Sequence, residues 1–135
     1  MRADRINAHE PKAPGGIPDP PSHLDEYGGE GFRQIATATN QLGLASPVDR
    51  DAMAVYAGAY RRWRHAMDDV AKTGQIIKGS HGGRVANPSI GIAERAERVM
   101  VGILATFGLT PSDRSRLKAQ EQTDDPLDRF LRESV

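Results

Sequence analysis

The side chains able to do bond-making chemistry are few and scattered. Histidines stand at His9, His23, His65 and His81, none spaced so that two could share a metal ion. There is no cysteine to complete a zinc site or to serve as a thiolate. Asp68-Asp69 and Asp124-Asp125 are neighbouring carboxylates on a helix surface and in a linker, where solvation is the ordinary outcome. Ser80-His81 sets a hydroxyl beside an imidazole, but nothing orients the two as nucleophile and base. The run Gly79-Ser80-His81-Gly82-Gly83 resembles a phosphate cradle only superficially, because it lacks the Gly-Lys-Ser/Thr ending of a nucleotide-binding loop. These residues predict no enzyme, no cofactor and no metal.

Charge recognition is better supplied. Arg61, Arg62 and Arg64 crowd one segment, Lys78 and Arg84 flank the glycine-rich run, and Arg114, Arg116 and Lys118 follow further on. Side chains of this kind contact nucleic-acid phosphates, and these eight are the candidate DNA-binding residues. A plainer reading of Arg61, Arg62 and Arg64 is an ordinary solvated helix face, since Arg64 stands four residues before Asp68 and can pair with it. The formal net charge is zero, so one copy is not expected to grip a duplex tightly by itself. A multimer can bring several weak basic patches together. Near the end, Leu127, Phe130 and Leu131 fall at i, i+3 and i+4 behind Asp124-Asp125-Pro126. They are candidate partner-binding residues on a short amphipathic helix, either folding on contact with a partner or docking on the chain's own core.

The elements that must carry these residues are helical. Residues 1–28 hold Pro11, Pro14, Pro18, Pro20 and Pro21 and read as an extended arm. Residues 29–119 form the expected helical core, with oligomerisation and DNA binding placed there, and residues 120–135 form a linker and tail. A first helix is predicted from about Gly29 to Gln41, ended by Gly43. Ser46-Pro47-Val48-Asp49 is a capping box opening a long helix. Met53, Tyr56, Tyr60, Trp63, Met67 and Val70 stripe that helix at spacings of three and four, which reads as core or intersubunit seam. After Gly74, QIIKGSHGGRVA predicts a small hairpin or mobile loop.

Asn87 caps and Pro88 begins a third helix, with Ile92, Ala96, Val99, Met100, Ile103, Leu104 and Phe107 as its apolar stripe and Glu94 paired to Arg98. Gly108 stops it. Thr110-Pro111-Ser112-Asp113 is a capping box for a fourth helix anchored by Leu117. The expected fold is therefore all-α: about four helices with a long antiparallel pair, a short loop or hairpin between them, an extended N-terminal arm and a short C-terminal helix. The N-terminal MRADRINAHE precedes a proline-rich tract rather than an apolar segment, so no secretory signal is expected. No apolar run approaches the ~20 residues that span a bilayer, so no membrane contact is expected either.

The ordered set of motifs resembles the P27-type family of phage terminase small subunits. The pieces are Pro18 to Leu24, Leu42-Gly43-Leu44, Asp49 to Tyr60, Gly74, Asn87-Pro88, and Phe107 to Arg114 with Leu117. They span roughly residues 11–117 in order; Phe32 departs from the family, which often has tryptophan there. The resemblance implies a non-catalytic protein in the host bacterial cytoplasm that assembles into a homo-oligomeric ring. It implies recognition of the packaging site on double-stranded viral DNA. It also implies delivery of that DNA to the terminase large subunit, which carries the ATPase and nuclease. Two other readings stand beside it: a structural or connector adaptor without DNA contact, and a helix-turn-helix transcription regulator.

Overall fold

The computed structural model describes residues 17–116. Lys118, Leu117, Leu127, Phe130 and Leu131, with the first part of the arm, lie outside them. The elements in chain order are α1 (Glu26–Gln41), a 3₁₀ turn (Pro47–Asp49), α2 (Arg50–Thr73), β1 (Ile76–Lys78), β2 (Arg84–Ala86) and α3 (Pro88–Thr106). Residues 111–116 are again helical. This is the expected helical domain, and the uncertain loop between the long pair is an antiparallel hairpin.

Helix ends are set locally. Asp25 caps α1, its carboxylate accepting from the Gly28 N–H at 2.8 Å. The helix therefore starts three residues before the Gly29 expected. Leu42-Gly43-Leu44 and Phe107-Gly108-Leu109 close α1 and α3 in the same way. Gly43 and Gly108 both take φ of +68°, and the following leucine N–H reaches back to Thr39 and Leu104 at 2.8 Å. That is a Schellman close, which satisfies the last carbonyls of each helix. Thr110 and Asp113 form the capping box ahead of residues 111–116, with Asp113 N–H donating to Thr110 Oγ1 at 3.3 Å. Ser46 behaves differently from expectation. It caps only the 3₁₀ turn, through Val48 N–H at 3.3 Å, and α2 starts after Asp49 with no side-chain cap.

The core lies where α1 crosses the first half of α2. Phe32, Ile35, Ala36, Met53, Tyr56, Ala57 and Tyr60 are buried, and Leu24, Trp63, Met100, Ile103, Leu104, Phe107 and Leu109 pack against them half-covered. Apolar burial of this kind supplies most of the stabilisation. The six-residue stripe on α2 therefore divides: Met53, Tyr56 and Tyr60 are core, whereas Trp63 and Val70 are half-buried and Met67 is exposed. The reason is direction: the first turns of α1 reach the second half of α2 at Arg64, His65 and Asp68, whereas Trp63 faces α3 on another flank.

α3 runs antiparallel to α2, cross-linked by Trp63 Nε1 donating to Glu97 at 2.9 Å and Ser89 Oγ donating to Asp69 at 2.7 Å. Its fully buried residues are Ala93 and Ala96, and α2 adds Ala59 and Ala66. Small side chains thus line the pair. The wider stripe expected on α3 is corrected: Ile92 and Val99 are exposed, because α2 and α1 cover only one flank of the helix.

Candidate nucleic-acid interface

The hairpin sets two cations, Lys78 and Arg84, directly opposite each other. Its ladder closes at the base with Asn87 N–H on Gln75 O at 2.8 Å and at the tip with Gly79 N–H on Gly83 O at 2.7 Å. Antiparallel pairs alternate, so Ile77 and Val85 are a hydrogen-bonded pair and Lys78 faces Arg84 in the closer, non-hydrogen-bonded kind. At such a position the Cα atoms are about 4.5 Å apart. Like charges directly opposite each other destabilise a sheet. Residues 75–86 contain no acid to relieve them, and neither cation joins an ion pair among the described residues. The tip turns through Ser80, His81 and Gly82, with Gly82 at φ +83°. Such a three-residue loop uses glycine's left-handed conformation.

The hairpin rests on nothing. Every residue of β2 is exposed, and in β1 only Ile77 is half-covered. A two-stranded hairpin without a packed face is marginal alone. Its base is therefore where its order is set, and Asn87, 3% exposed, sits there. The carboxamide of Asn87 donates to Gly74 O and Thr73 Oγ1 at 2.9 Å each and to Asp69 at 3.2 Å, and accepts from Ser89 N–H at 2.9 Å. Hydrogen bonds from Ser89 first, and then from Asn87, hold the Asp69 carboxyl below its usual value.

The other candidate cations fare unequally. Arg61 pairs with Asp25, at the start of α1. Arg64 is half-buried and does not reach Asp68 as expected. It lies 4.6 Å from the Tyr27 ring centroid and donates to Tyr60 Oη at 3.0 Å and Glu30 at 3.5 Å, while Asp68 accepts from Tyr27 instead. Burial next to α1 makes the cross-helix partners better placed than the exposed neighbour along α2. Arg114 donates to Leu109 O at 2.8 Å, and Arg116 pairs with Asp113 at 3.2 Å. Of the α2 arginines, Arg62 and Arg50 are exposed without an ion pair among the described residues, and Arg50 donates to Asp19 O at 3.0 Å. The expected Glu94–Arg98 pair does not form.

The structure thus brings Lys78 and Arg84 together and leaves the helical arginines apart. It adds Asn87 and Asp69, which sequence reasoning took as a cap and a solvated acid. The signal for the first pair was in the chain: once Gly79 and Gly83 close the loop, Lys78 and Arg84 must face each other. Among the described residues, no three of His, Cys, Asp and Glu are placed to hold a metal ion, and no helix is long and apolar enough to cross a membrane.

A mostly helical domain with a cationic hairpin between its two long helices defines a small helical class of protein. Residues 29–124 match the family described as phage terminase, small subunit, and the chain belongs to that family. Small subunits of this family are non-catalytic adaptors. Neither a curated protein nor a solved structure matches the chain.

Proposed function

We propose that this chain is a P27-type small subunit: an oligomeric, DNA-recognising adaptor that engages the viral packaging site and regulates the large ATPase and nuclease subunit in the host bacterial cytoplasm. The observation that carries the reading is the hairpin, where two facing cations without an acid are an arrangement that a phosphate anion stabilises. Arg62 adds to this surface in a multimer, whereas Arg61 and Arg64 serve the fold first. Arg114 and Arg116, turned to Leu109 and Asp113, must leave those partners to reach a phosphate, and Lys118 joins them as a proposal from the sequence. Leu127, Phe130 and Leu131 are proposed to dock on the large subunit.

The test is duplex binding across a salt series. Lys78→Ala and Arg84→Ala should each weaken binding and reduce the slope of log K against log salt by about 1. Wild-type protein that binds no duplex even at about 50 mM salt would instead favour a connector adaptor, because phosphate contacts are strongest at low salt.

A further inference from the structure

We infer that Asn87, with Asp69 behind it, is a positioning residue that fixes the angle at which the cationic hairpin leaves the helix pair. This rests on the hairpin being the DNA-contacting element.

The hairpin buries neither face, so packing does not hold it in place. Only its two legs do. The first leg turns at Gly74, whose φ of +92° and ψ of 168° lie outside any regular element. A glycine joint of this kind is easily re-aimed. The second leg is Asn87 itself.

One side chain ties everything at this junction. Asn87 Nδ2 reaches Gly74 O on the first leg and Thr73 Oγ1 and Asp69 on the last turns of α2, while Oδ1 caps α3 through Ser89 N–H. Ser89 Oγ donates to the same Asp69 oxygen at 2.7 Å, and Thr73 Oγ1 to Asp69 O at 2.8 Å. Capping needs only a side-chain acceptor oxygen, which the hydroxyl of serine or the carboxylate of aspartate would supply as well. The NH₂ half is surplus to a cap, and all of its acceptors belong to the first leg and α2. A hairpin set in place during folding reaches DNA without the ordering cost that a loose one meets on binding.

The variant that separates the two halves is Asn87→Ser, which keeps the cap and removes the Nδ2 donor. Duplex affinity should fall roughly three- to tenfold with an unchanged salt slope, because the same cations reach the same phosphates from a less ordered hairpin. Amide hydrogen exchange in residues 75–86 should quicken while helix content is kept. Wild-type affinity in Asn87→Ser, with Lys78→Ala weakened, would overturn the positioning role and leave the DNA reading standing. Unaffected binding in Lys78→Ala and Arg84→Ala would overturn the DNA reading. In that case, exchange in Asn87→Ser decides the lock: faster exchange upholds it for another partner, and unchanged exchange removes it. If Asn87→Ser does not fold, Asp69→Ala carries the same readouts, since alanine suits the half-exposed site on α2.

Discussion

Asp25 joins three things at one carboxylate. It accepts from Gly28 N–H as the cap of α1, from Arg61, and from His65 Nε2 at 3.3 Å, so it fastens the start of α1 to the middle of α2. The backbone bond from Gly28 and then Arg61 draw its pKa down to about 2. Because the folded value lies below the unfolded one, this stabilisation is complete above about pH 4 and fades as pH falls toward 2. Urea midpoints measured over that window should drop more steeply for the wild type than for Asp25→Asn, which still caps but does not titrate. Parallel pH profiles would refute the assignment.

At the scale of elements, α1 lies on α2 with no room for a side chain at Gly31. A Cβ at Gly31 would lie 2.7 Å from the Cβ and Cγ of Tyr60, so the helices meet only because that position has no side chain. Gly31→Ala gains about 1 kcal/mol of helix propensity but overpacks a seam, at about 1–3 kcal/mol. Thermal unfolding should therefore come several degrees earlier, and a raised melting temperature would contradict the packing described. The helices themselves were readable from the chain because their caps are local: Asn87-Pro88, the two X-Gly-Leu closes and Thr110 to Asp113 act within six residues. What covers each helix was not readable. Arg61 meets Asp25 and Arg64 meets Glu30 across 36 and 34 residues, and no spacing rule along one helix anticipates that. The stripe on α3 misled for a related reason, since periodicity marks an apolar face without saying how many neighbours it has. The facing of Lys78 and Arg84 was latent, needing only the loop length to set the register.

The whole molecule leaves apolar side chains in water. Ile92 and Val99, one heptad apart on α3, are 40% and 38% exposed, and Val55 and Val101 are 52% and 59% exposed. Exposed apolar surface on a small domain often marks an interface, and the proposed ring would cover it. Solution mass without DNA should show a closed oligomer, and Val99→Asp should shift it to smaller species with helicity intact. A wild-type monomer would end the ring proposal and revive the regulator.

The bare hairpin also has an evolutionary meaning. Its ladder is closed at Gln75 and Asn87, and almost nothing between them supports the core. Changes in the twelve residues 75–86 are therefore expected to leave the stability of the helices nearly unchanged. On the proposed DNA reading, a changed target would be met by rewriting these residues while the same helical scaffold is kept.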